Sequence, residues 1–169
     1  MKGRRRSVWF RLAFGVAVTV AAHAVGGGSA RAATISTAVD APASPVRVLA
    51  GFTSQDYPAF FKLAGDGRKV SMAGIALELA CTSGDQYVLQ DEFIGLRISP
   101  NGKVHGSYAE PPTSDSDGTT VSATDSLSAR LNHRNTELSG VWQLTVHYTF
   151  TDGASDECDS GPVRFSATS

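Results

Sequence analysis

Cysteine is scarce in this chain of 169 residues: only Cys81 and Cys158 occur. Neither a C-x-x-C pair nor a Cys/His spacing is present, which excludes a thiol redox motif and a structural zinc. There is no H-E-x-x-H stretch, and His105, His133 and His147 each stand alone among polar neighbours, as surface histidines do. The G-x-S-x-G elbow of serine hydrolases is also missing. No segment sustains a 3.6-residue apolar period, so helices are excluded as the main element. Carboxylates are plentiful, but they do not have a calcium loop's spacing. Asp115, Asp117 and Gly118 look like the start of one without its closing Glu, and Asp152, Asp156, Glu157 and Asp159 form a second acidic cluster. Both read as solvated loop carboxylates, and neither a metal nor a cofactor is expected.

The basic residues crowd the start. Lys2, Arg4, Arg5, Arg6 and Arg11 precede an apolar run from Leu12 to Val25, and Ala30-Arg31-Ala32 follows as a small-residue cleavage site. This order is that of an export signal over residues 1–32, cut before Ala33. The run is broken by Gly15 and His23 and falls short of the ~20 residues of a membrane span. Arg5-Arg6 leaves general and twin-arginine export both open. Signal removal leaves nine basic residues against sixteen acids, a net charge of −7 where the whole chain has −1. Such an acidic protein disfavours nucleic acid and anionic membranes, both of which are held by Lys/Arg patches. A secreted, extracellular monomer is the expectation. Its oxidising destination makes Cys81 and Cys158 a disulfide.

Residues 33–45 are rich in Ala, Thr, Ser and Pro and read as a flexible leader, with one domain over residues 46–169. The organising strand is 138–150. There Leu138, Trp142, Leu144, Val146, Tyr148 and Phe150 share one face, and Ser139, Gln143, Thr145, His147 and Thr149 the other. Further strands are read at Val46 to Phe52, at Pro58 to Leu63, through Ile75, Leu77, Leu79 and Cys81, and from Tyr87 to Ile98. In the last of these the alternation slips across Asp91-Glu92-Phe93, as at a β-bulge. Val104 to Tyr108, the run with Leu127, Ala129 and Leu131, and Val163 to Ala167 complete the set. Gly65-Asp66-Gly67, Ser83-Gly84-Asp85 and Asn101-Gly102 mark turns, the last expected as type I′. Glu110 to Gly118 and Thr151 to Ser160 read as exposed loops. About eight short strands predict an all-β antiparallel β-sandwich or jelly-roll-like barrel.

The run Gly51-Phe52-Thr53-Ser54-Gln55, the turn Asp66-Gly67-Arg68-Lys69-Val70, the Asn101-Gly102 hairpin and the ending Cys158-Asp159-Ser160-Gly161-Pro162-Val163-Arg164-Phe165-Ser166-Ala167 resemble those of small secreted actinobacterial β-sandwich proteins of unknown function. The likeness covers nearly all of residues 51–167. It implies a secreted β-sandwich with one disulfide and supplies no catalytic or binding residue.

A glycosidase needs two carboxylates flanking a cleft, and Glu78, Asp91 and Glu92 are the acids on expected strands. Asp91 and Glu92, being adjacent, point to opposite faces, so catalytic residues stay unassigned. Tyr57, Phe60 and Phe61 crowd a short segment, and alternation forbids both phenylalanines from entering one core. An exposed ring there could stack on a sugar or anchor a protein contact, which makes these three the candidate binding residues. The function expected is a non-catalytic binding or interaction module for an extracellular protein or glycan. The alternative is a small secreted hydrolase such as a glycosidase.

Overall fold

A computed structural model of the protein describes residues 45–169. The export signal and the leader, apart from its last residue, lie outside the described residues. Nine strands follow: β1 (Arg47–Thr53), β2 (Pro58–Leu63), β3 (Lys69–Cys81), β4 (Gln86–Arg97), β5 (Lys103–Ser114), β6 (Thr120–Leu131), β7 (Glu137–Thr149), β8 (Ser155–Asp159) and β9 (Val163–Thr168). All pair antiparallel, in the order β4-β3-β2-β1-β9-β7-β6-β5, and β8 bridges β3 to β7. The ring β3-β2-β1-β9-β7-β8 therefore closes as a six-stranded barrel, from which β4 extends on one side and β6 and β5 on the other.

Period-two alternation builds the interior. β2 buries Ala59, Phe61 and Leu63, β9 buries Val163, Phe165 and Ala167, and β7 buries Leu138, Trp142, Leu144 and Val146. Trp142 is wholly buried and its ring lies 5.2 Å from that of Phe93, while Phe61 stacks on Phe165 at 4.8 Å. Such ring pairs add ~0.5–1.5 kcal/mol beyond the area they bury. At the end of the organising strand the pattern stops early. Phe150 lies past β7 in the turn and is exposed.

The slip in β4 is present but lies later than the sequence suggested. Tyr87, Leu89, Asp91 and Phe93 all face inward, Ile94 is exposed, and inward packing resumes at Leu96 and Ile98. Gly95, with φ of +74°, takes the left-handed conformation that shifts the phase. The Asn101-Gly102 turn also differs from expectation. Pro100 holds φ negative at its first central position, so the turn closes through Gly102 N–H to Ser99 O, with only Gly102 left-handed. Finally, residues read as loops extend or add strands. β5 runs on through Pro111-Pro112 to Ser114, β6 begins at Thr120, and Ser155–Asp159 is a strand.

Cys81 and Cys158 are bonded and face one another as register partners of β3 and β8. That seam has just two paired positions, Ala80 with Asp159 and Cys81 with Cys158. The disulfide thus fastens the shortest ladder of the ring. Asp156 reinforces it by accepting from the Thr82 and Ser83 hydroxyls and from Ser83 N–H, and these hydrogen bonds hold its carboxyl below the ordinary range. The last strand, β9, is held separately by backbone ladders to β1 and β7.

Candidate functional site

The outward face of β1 and β2 is largely apolar where a solvated sheet would alternate to polar, and Ile94 of β4 adds to it. Leu49 and Thr53 point inward in β1, which turns Val48, Ala50 and Phe52 out; in β2 the outward residues are Pro58, Phe60 and Lys62. Register aligns these into rows: Val48, Lys62, Met72 and Ile94 across four strands, then Ala50, Phe60, Gly74 and Glu92, with Phe52 beside Pro58. Val48, Phe52, Phe60 and Ile94 are 54, 68, 44 and 69 % exposed. The Phe60 ring lies over Gly74, where a Cβ would come within 2.4 Å of it. An absent side chain is what seats the ring on the sheet.

Tyr57 borders this face. Its hydroxyl donates to Glu78 Oε2 at 3.1 Å, and Gln55 pairs with the Glu78 backbone through its Nε2 (2.9 Å) and Oε1 (3.0 Å). Thr53 Oγ1 accepts from the N–H groups of Gln55 and Tyr57, fixing the loop that carries both. Phe61 does not belong to the face. It is 0 % exposed, because its neighbour Phe60 takes the outward position and strict alternation sends Phe61 into the core.

Inside the sheet lies a second cluster. Asp125 interrupts the inward row Val121, Ala123, Leu127, Ala129 of β6 and is 8 % exposed. The Asp91 carboxyl of β4 lies beside it, and the Trp142 indole N–H donates to Asp91 Oδ2 at 3.2 Å. Asp91 Oδ1 accepts from Glu92 N–H at 2.9 Å. Burial, and then the charge of Asp91 beside it, push the Asp125 carboxyl up to about 8, so it carries a proton at neutral pH. Asp125 Oδ1 is buried with no hydrogen-bond partner. The pair and the Trp142 indole bring β4 together with β6 and β7.

No protein-family model matches the chain, and no curated protein matches it. Several of the remaining candidates are engaged in local contacts. Asp117 and Asp152 each accept the N–H two residues on, closing their own turns, and Asp159 accepts from Gly161 N–H and Gln143. His147 Nδ1 lies 3.3 Å from Glu157 Oε2 across the β7–β8 ladder, on the exposed surface. Cys81, Asp156 and Cys158 have metal-ligand proximity, but both sulfurs are committed to the disulfide. Glu92 points out beside Gly74, away from Asp91. The residues missed from sequence are Asp125 and the outward Val48, Phe52 and Ile94. Asp125 was signalled by continuing the Leu127 alternation two steps back, through Ala123 and Val121.

Proposed function

We propose that the protein is a secreted extracellular interaction module that binds without catalysing a reaction, and that it docks onto an apolar patch of another extracellular protein. The supporting observation is that Val48, Phe52, Phe60 and Ile94 are all exposed on one sheet face. Contiguous exposed apolar surface marks interaction sites, and aromatic rings at the centre of such faces carry most of the binding energy. The chemistry favours a protein over a glycan. Phenylalanine, valine and isoleucine dominate the face, whereas a sugar requires hydrogen-bonding groups placed around a stacking ring. A disulfide is compatible with an extracellular location.

The hydrolase alternative rests on Asp91 and Asp125, a neighbouring pair of carboxyls. Two features weigh against it. A glycosidase needs its carboxyls on either side of an open cleft so that the sugar fits between them, and these two lie side by side within the sheet. Asp125 is also too buried to meet a substrate.

The test is capture from extracellular medium by the immobilised protein, beside a glycan panel and a chromogenic hydrolase screen. A protein captured by wild type and lost with Phe52→Ser/Phe60→Ser, at unchanged melting temperature, supports the reading. Capture of a glycan alone moves the assignment to sugars. Turnover abolished by Asp91→Asn moves it to the hydrolase, and capture insensitive to the double substitution refutes the face.

A further inference from the structure

The net charge of the secreted chain conceals a segregation of sign. Antiparallel pairing sends the β2–β3, β4–β5 and β6–β7 turns to one end of the molecule, where Lys69 pairs with Arg97, Lys103 with Arg130 and Leu131 with Leu138. Backbone hydrogen bonds tie the three turns together, from Ile98 N–H to Arg68 O and from Leu131 N–H to Gly102 O. Arg47 joins the same end by donating from Nη1 to the carbonyls of Arg134 and Asn135. Seven of the nine basic residues left after signal removal, Arg47, Arg68, Lys69, Arg97, Lys103, Arg130 and Arg134, thus gather at one end.

Two features of this end are unfavourable as they stand. Lys69 faces Arg97, and Lys103 faces Arg130, as directly opposed cross-strand pairs of like charge. Such pairs destabilise a sheet unless something neutralises them. Among the described residues, no carboxylate forms an ion pair with any of the four. The acids nearby are Asp66 and Glu137, and Asp66 Oδ1 is engaged by Arg68 N–H in its own turn. The three turns also border an open concavity of about 760 Å³. Arg68, Lys69, Arg97 and His133 stand on its wall beside Asp66, with half-buried Ile98 supplying apolar surface. A basin of this volume suits a ligand the size of a sugar or small metabolite.

We propose that this basin binds an organic oxyanion, a phosphate or sulfate ester on a sugar-sized body, held by Arg68, Lys69 and Arg97. Guanidinium groups match the oxygen pairs of such esters in two-point hydrogen bonds, and Lys69 adds a point charge. The ester would supply the negative charge that the Lys69–Arg97 pair lacks, and the sugar would rest on Ile98. The site lies at the turns, distinct from the outer apolar face, so it stands whether or not that face binds a protein.

The experiment is calorimetric titration of the secreted protein with inorganic phosphate, glucose 6-phosphate and glucose 6-sulfate, with thermal melts alongside. At least one ester should bind with a dissociation constant below about 10 mM, weaken as salt rises, and raise the melting temperature. Arg68→Ala and Arg97→Ala should each reduce affinity about tenfold or more, the loss expected for one charge-assisted hydrogen bond, while Arg164→Ala on β9 leaves it unchanged. The two ester arms decide between phosphate and sulfate. Circular dichroism of each variant separates lost binding from lost fold, and Arg97→Lys, which keeps charge but not the planar fork, should restore binding only in part. Binding of inorganic phosphate without either ester, absence of all binding, or affinity unchanged in both arginine variants overturns the proposal.

Discussion

Asp125 should make the protein weaken as pH rises, and Asp125→Asn should remove that dependence. The carboxyl is raised to about 8 in the folded state, by burial first and then by Asp91, whereas in an unfolded chain it titrates near ~3.9. Between these values the native state keeps a proton that the unfolded state has lost. Stability therefore falls with increasing pH across that window, is fully present below ~4, and levels off above about 8. The gap of about four pH units, at ~1.4 kcal/mol each, would set an upper limit of ~6 kcal/mol. Solvent reaching the pair through half-buried Asp91 screens part of this, which leaves roughly 2–4 kcal/mol between pH 5 and pH 8.5.

Asparagine cannot titrate, yet its amide can still donate to Asp91. The variant should be near wild type at pH 5 and more stable than wild type at pH 8.5. Urea melts at both values, followed by the emission of Trp142, provide the measurement, since Trp9 lies within the expected signal and leaves Trp142 as the sole tryptophan of the secreted chain. The difference between the two proteins isolates Asp125 from every other titrating group. A pH slope that is the same in wild type and variant would refute the reasoning.

Replacing Cys81 and Cys158 by alanine should cost about 2–5 kcal/mol in a urea melt, since the bridge fastens a two-position seam; two reactive thiols in the secreted protein would show that the bridge does not form. Phe61→Ala should cost about 3–5 kcal/mol through loss of a wholly buried ring, and Phe60→Ala under ~1.5 kcal/mol, as only the contact over Gly74 is lost; equal costs in denaturant would contradict the inside–outside assignment. N-terminal sequencing of secreted protein should begin at or within a few residues of Ala33, and recovery of an intact chain from Met1 in membranes would exclude cleavage.

The strands legible in the sequence are those that bury several large side chains in strict alternation. β7 shows this most clearly, because Trp142, Leu144 and Val146 need one wall and a helix would scatter them. β8 was illegible for the opposite reason. Ser-Asp-Glu-Cys-Asp buries only Cys158, and its backbone is held in strand form by β3 and β7 on either side rather than by its own propensity. The first half of β6 is similar, with Thr, Ser and Ala obscuring the inward row that leads to Asp125. The outward apolar rows depend on register between strands far apart in the chain. Ile94 meets Met72 and Lys62 only after β3 and β4 are aligned, so a local pattern could place Phe60 outside but could not assemble its neighbours.

Net charge misleads for a related reason. In an antiparallel arrangement successive turns fall at alternate ends, so the position of a turn in the order decides which end receives its charges. The β3–β4, β5–β6 and β7–β8 turns carry Asp85, Asp115, Asp117 and Asp152, while the turns between them, and the strand ends beside those, carry Arg68, Lys69, Arg97, Lys103, Arg130 and Arg134. A strand of thirteen residues such as β3 separates the ends by ~40 Å, several times the ~8–10 Å over which charge acts at physiological salt. Each end therefore presents its own field, and the −7 expected after signal removal describes neither. An anionic ligand approaching the basic end is steered by six or seven cations at short range and barely senses the acids at the far end. The same separation implies that added salt should weaken binding at the basic end in proportion to the cations engaged there, independently of the acidic turns.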